Sequence, residues 1–243
     1  MSDKKKKNQL KPGERRRWFK GVKAIIRLFL KKPHWVFLGE EFVPRSLVLS
    51  NHVGAKAPLT LECYFPHPFR FWGTYEMNSS LKEVYKYLSE IYFHQKKHWK
   101  LFWSKLFCLI AAPVAYLFYR GLTLISTYRD HRFRTTLKES IKTLETGASL
   151  VVFPEDSSHG YFDTLTSFFS GFVTLAAICH KRGMDLPIYL CYLRKKERTY
   201  VVDKPILYSE LVATGMDKYQ IAEHLLTKCN SLGVMALPSE PAK

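Results

Sequence analysis

Along this chain short, mostly apolar runs alternate with longer stretches in which apolar residues recur every three or four positions. The runs at 35–38, 47–49, 69–72, 121–127, 149–153, 187–192 and 199–202 read as strands. A period near 3.6 predicts helices over 14–30, 58–64, 79–94, 133–145, 168–182 and 217–231. Within 79–94, Ser79 or Ser80 is placed to cap the helix, and Leu81, Val84, Tyr85 and Leu88 share one face. Apolar strands separated by helices are buried on both sides, so the fold class is α/β, a single mixed sheet covered by helices on both faces.

Two helical stretches carry more than a core-facing stripe. Residues 106–119 form a run of fourteen without a charged side chain, short of the roughly twenty that a bilayer-spanning helix needs. The run reads as a buried helix or as a segment dipping into one leaflet. In 14–30, Trp18, Val22, Ile25, Ile26 and Phe29 fall on one stripe, and Arg16, Lys20, Lys23, Arg27 and Lys31 fall opposite. An aromatic-aliphatic face backed by cations suits a membrane interface; a helix packed on its own domain with a solvated basic face has the same pattern.

Charge adds to this picture. The formal net charge is +17, and residues 1–32 supply +11 of it, with thirteen lysines and arginines set against Asp3 and Glu14. The expected organisation is a basic tail with an amphipathic membrane-association helix at 1–32, then an α/β domain at 33–243. A basic arm suits either nucleic acid or anionic lipid. The apolar stripe, and a body without a nucleic-acid-binding pattern, favour an anionic membrane surface and no nucleic acid. Hydrophobic content of 47% excludes a disordered body, leaving 1–12 as a Lys-rich polar tail. The five cysteines are scattered and odd in number, which fits reduced thiols in a cytosolic setting and neither a disulfide framework nor a CxxC metal site. No secretory signal is visible, so the expected location is the cytoplasmic side of a membrane, peripherally bound. His94 and His98 lie four apart but lack the glutamate and third ligand of a zinc helix, so no metal is expected.

Two of the apolar runs stop at polar clusters. One ends in Ser50-Asn51-His52 and the other in Phe153-Pro154-Glu155. Buried strands of an α/β sheet deliver ligands at such ends, and two of them make a site. The order of these blocks, followed by Ser170-Gly171-Phe172 opening a helix, resembles the glycerolipid acyltransferases that esterify glycerol 3-phosphate or lysophosphatidic acid. The resemblance spans about 35–202. It includes Gly121-Leu-Thr-Leu-Ile125 with Arg129, similar to the family's Gly-x-x-Phe-Ile-x-Arg with two extra residues, and Leu186-Pro187-Ile188, similar to its Val-Pro-Val strand.

The resemblance implies an acyltransferase-like fold and a phospholipid-biosynthetic transfer. The acyl group would come from acyl-CoA or acyl-carrier protein as co-substrate, with no other cofactor, and go to lysophosphatidic acid or a related lysophospholipid. It assigns His52 as the base, Asn51 to shaping the site, and Glu155, Ser157, Arg129, Gly121 and Lys56 to substrate binding. The chain departs from the family pattern at two places. Ala57 stands where the family's His-x4-Asp motif has its aspartate, which leaves Glu62 as the nearest acid in sequence to substitute for it, with Glu155 and Asp156 able to approach through the fold. Ser158 stands where the family has an arginine. Both departures also fit a lipid-binding protein of the same fold that has lost catalysis.

Overall fold

A computed structural model describes residues 10–157 and 160–237. Its frame is one mixed sheet in the order β1-β7-β6-β2-β5-β3-β4, with β8 paired to β6. The strands are β1 (His34–Phe37), β2 (Leu47–Ser50), β3 (Phe69–Thr74), β4 (Ile125–Thr127), β5 (Ser149–Val152), β6 (Pro187–Arg194), β7 (Thr199–Val202) and β8 (Ile206–Leu207). The helices are α1 (Arg17–Phe29), α2 (Lys56–Tyr64), α3 (Leu81–Lys86), α4 (Leu101–Leu122), α5 (Phe133–Glu145), α6 (Gly171–Lys181), α7 (Tyr208–Ala213) and α8 (Lys218–Val234). The strands β2, β5, β3 and β4 run parallel, as do β2 with β6 and β1 with β7; β7 and β8 pair antiparallel to β6.

The alternation of side chains along each strand divides the core into two layers. Leu47, Leu49, Leu150, Val152, Ile188 and Leu190 face α5, α6 and α8. Val48, Val151, Tyr189, Cys191 and Tyr200 face α1 and α2, where Phe19, Ala57 and Leu61 meet them. A smaller apolar cluster lies outside the sheet, built by α3, the segment after it and α4, around Val84, Leu88, Cys108 and Ala112. All five cysteines are free and buried, so none forms a disulfide.

Three elements differ from the sequence reading. The helix expected over 79–94 is α-helical only to Lys86 and continues as a wider π-helical segment, Tyr87–Lys96. The strand expected from 121 is confined to β4, because α4 runs through Gly121 and Leu122. The run at 106–119 is not a buried helix. It belongs to the 22-residue α4, whose buried positions form a single narrow stripe of Ser104, Cys108 and Ala112 before Gly121 and Leu122. Phe102 (69% exposed), Ile110 (78%) and Val114 (64%) point outward.

The amino-terminal helix is joined to the body. Phe19 is fully buried and packs on Phe118 of α4, with ring centroids 5.3 Å apart. The carboxylate of Glu62 on α2, 1% exposed, takes two hydrogen bonds from Arg15 and an ion pair from Lys23. Arg27 donates to the carbonyl of Cys63 at the end of α2. A buried carboxylate needs compensating charge, and Lys23 of this helix together with Arg15 just ahead of it provides that charge. Lys23 and Arg27, expected on a basic face turned to anionic headgroups or to solvent, therefore serve the fold, and packing does not break at residue 32. Trp18, Ile25, Leu28 and Phe29 stay exposed.

Candidate functional site

Strands β2 and β5 are neighbours, with Leu49 beside Val152, so their carboxy-terminal ends open side by side. The chain leaves β2 through Asn51 and His52, turns at Gly54 with φ +55, and enters α2. It leaves β5 through Phe153 and Pro154 to Glu155, which pairs strand-like with Phe168. The two ends meet directly, where the backbone N–H of His52 donates to Oε2 of Glu155 at 3.1 Å.

The His52 imidazole lies between two rings. Tyr161 stacks on it at 4.7 Å and 19°, and Phe153 tilts against it at 4.8 Å. Its Nδ1 is buried and has no hydrogen-bond partner among the described residues. Burial first, and then the positive charges of Lys96 and Lys97, bring the His52 pKa down to about 4, so the ring is a neutral base at neutral pH. Burial raises Glu155 to about 7, against the opposing pull of the His52 N–H and of Lys96. Acid and base are thus shifted in opposite directions, a pattern typical of reactive sites.

The cations next to His52 come from an unexpected element. The π-helical segment ends at Lys96, whose Nζ donates to the Ser157 hydroxyl at 2.8 Å and lies 5.5 Å from the centre of the Tyr161 ring. Lys97 lies over the same ring at 5.6 Å. Burial pushes the Lys96 pKa down; Asp156 and Glu155 raise it, and Arg129 lowers it further. Arg129 sits over the Phe169 ring at 5.0 Å, and the N–H of Phe169 bonds the carbonyl of Pro154. His52, Glu155, Ser157 and Arg129 are therefore brought together, with Tyr161, Lys96 and Lys97 added. The two lysines lie between the histidines of His94-Gln-Lys-Lys-His98, a spacing that reads first as a metal pair. His94 instead meets the carbonyl of Trp99 through Nδ1. No metal-holding cluster of three or more ligands occurs among the described residues.

Four expected residues serve other purposes. Asn51 is buried and turned into the sheet, with Nδ2 donating to the carbonyl of Leu193 and Oδ1 accepting its N–H, which extends the pairing of β2 with β6 by one side chain. Glu62 is neutralised by Arg15 and Lys23 and does not serve His52. Gly121 makes room for Phe19, since a Cβ there would fall inside the ring. Lys56 donates to the carbonyl of Lys195 and lines a separate cavity of about 250 Å³ with Lys31 and Arg198. Ala57 is fully buried against the sheet. Glu155 accepts its hydrogen bond from the His52 backbone N–H, and among the described residues no carboxylate bonds the ring. Ser158 lies outside the described residues.

No family model, curated protein or solved structure matches this chain.

Proposed function

We propose that the protein is a membrane-associated acyltransferase that moves a fatty acyl group from acyl-CoA or acyl-carrier protein to a lysophospholipid, with lysophosphatidic acid or a relative as acceptor. The observation carrying this reading is the neutral, half-buried His52 at the end of β2, joined to Glu155 at the end of β5. His52 takes the proton of the acceptor hydroxyl as that oxygen attacks the thioester carbonyl. The carbon–oxygen bond forms, the carbon–sulfur bond breaks, and the thiolate leaves with the proton that His52 held. Glu155 and Ser157 position the acceptor, while Lys96, Lys97 and Arg129 offer positive charge to its headgroup in place of the family's arginine.

Incubating the pure protein with labelled acyl-CoA, acyl-carrier protein and a panel of lysolipids, followed by mass spectrometry, tests the reading. Transfer that disappears in folded His52→Ala, with a raised acceptor KM in Lys96→Met, supports it; transfer unchanged in His52→Ala overturns the assignment of the base.

A second reading, a lipid-binding protein of this fold without catalysis, is favoured by one observation: among the described residues the imidazole has no carboxylate partner and Nδ1 no hydrogen-bond partner. Lysolipid binding without any transfer product would select it.

A further inference from the structure

Helix α4 has no apparent function in the acyl-transfer site, yet it carries an extended exposed apolar surface. It spans 22 residues, about 33 Å at 1.5 Å per residue, so length and hydropathy alone would let it cross a bilayer. Its packing argues against a crossing. The buried stripe of Ser104, Cys108 and Ala112 continues to Gly121 and Leu122, so the helix is seated on the protein along its whole length. The seat is fixed at both ends: Ser104 donates to the carbonyl of Ser89, and Phe118 packs on Phe19. Turning α4 across a membrane would strip both contacts and drag the polar ends of the sheet into hydrocarbon.

Opposite that stripe, Phe102, Leu106, Ile110, Val114 and Leu117 stand exposed at spacings of three and four, with Trp99 and Trp103 at the amino-terminal end. Exposed apolar surface on this scale marks an interaction site rather than an ordinary surface. The charges around it identify the partner. No aspartate or glutamate occurs between Glu90 and Asp130, while Lys97 and Lys100 precede the helix and Lys105, paired with Glu90, and Arg120 lie on it. A cation-edged, carboxylate-free apolar stripe with tryptophans at its end is complementary to anionic headgroups above acyl chains.

We infer that α4 lies flat in one leaflet of an anionic membrane, with its outer face among the acyl chains and the Lys96–Lys97 end of the catalytic cleft at headgroup level. The inference deepens the membrane-association part of the proposed function and does not depend on acyl transfer.

All five native cysteines are buried, so single cysteines introduced as Phe102→Cys, Ile110→Cys and Leu117→Cys can carry an environment-sensitive fluorophore. Bound to mixed phosphatidylcholine–phosphatidylglycerol vesicles with bromine-labelled acyl chains, all three labels should be quenched at the same shallow depth. Leu106→Glu with Ile110→Glu should reduce vesicle partitioning by about tenfold or more without lowering the melting temperature, since both side chains are exposed. A graded depth, with position 110 deepest and 102 and 117 near opposite surfaces, would overturn the inference in favour of a spanning helix. Labels that remain in water on vesicle-bound protein would also overturn it. So would a concentration-dependent blue shift without lipid, which would give the face to a second copy of the chain. Should His52→Ala leave transfer unchanged while the labels share one depth, the docking stands and the catalytic assignment fails; the converse result fails the docking alone.

Discussion

His52 and Glu155 give the fold opposite dependences on pH. The folded pKa of His52, about 4, lies below the ordinary 6.5, so the folded chain holds fewer protons than the unfolded chain between those values. Its contribution is complete above 6.5 and is lost as pH falls through 4. Glu155, raised from 4.5 to about 7, behaves inversely: its contribution is complete below 4.5 and is lost as pH rises through 7. From about 4.5 to 6.5 the two slopes oppose each other. Relative to wild type, Glu155→Gln should therefore lose stability as pH is lowered across this window, and His52→Ala should lose it as pH is raised. Denaturant unfolding of the three proteins at several pH values checks this, and parallel curves would mean the two groups are not perturbed as described. Ala57 raises a different question, because it is fully buried and no carboxylate among the described residues bonds the imidazole. Ala57→Asp should cost about 2–3 kcal/mol of stability, since it puts a carboxylate among Val48, Leu61 and Tyr200. It should also raise transfer by about tenfold or more, within the roughly 10⁴-fold precedent for the carboxylate of a catalytic triad. An unchanged rate in the folded variant would show that His52 works without such a partner.

At the scale of elements, α1 and α2 behave as one unit because Glu62 joins them. Arg15 and Lys23 both reach a carboxylate that water does not, so removing its charge leaves two cations uncompensated, one of them buried. Glu62→Gln should cost about 3 kcal/mol in urea unfolding, the scale expected for breaking a buried ion pair. A loss below about 1 kcal/mol would mean that hydrogen bonding alone holds the helix. The same variant should leave the chemistry at His52 intact, because Glu62 makes no contact there. Activity that falls in proportion to the folded fraction supports that separation, whereas activity lost in fully folded protein would return Glu62 to the site. The π-helical segment illustrates the opposite case, an element whose irregularity has a use. A π-helical turn projects side chains differently from an α-helical one. The end of this segment brings Lys96 to Ser157.

On the scale of the whole molecule, what the sequence revealed depended on how far its signals reach along the chain. Strands β2, β5 and β7 were legible from their apolar runs, and so was the meeting of His52 with Glu155, because adjacent buried strands open at the same edge. Partnerships between distant residues were not: nothing near Glu62 points to Arg15, and nothing near Asn51 points to Leu193. The exposure of α4 was equally hidden, since an uncharged run such as 106–119 has the same sequence whether it faces a core or a lipid. These distant contacts also decide how the amino-terminal region should be dissected. Deleting residues 1–32 removes Arg15 and Phe19 along with the lysines, so it should lower the melting temperature and confound any membrane assay. Deleting only residues 1–9 removes Lys4–Lys7 and none of those contacts. That shorter truncation should leave the melting temperature unchanged. It should weaken binding to anionic vesicles at low salt, where the screening length is long, and make little difference near 1 M salt, where it falls to about 3 Å. The intact chain should retain a salt-resistant remainder from the apolar surfaces of α1 and α4. Co-sedimentation across a salt series compares the two proteins directly. Complete release of both by salt would mean that charge alone holds the protein to the membrane and that the exposed apolar faces contribute nothing to the attachment.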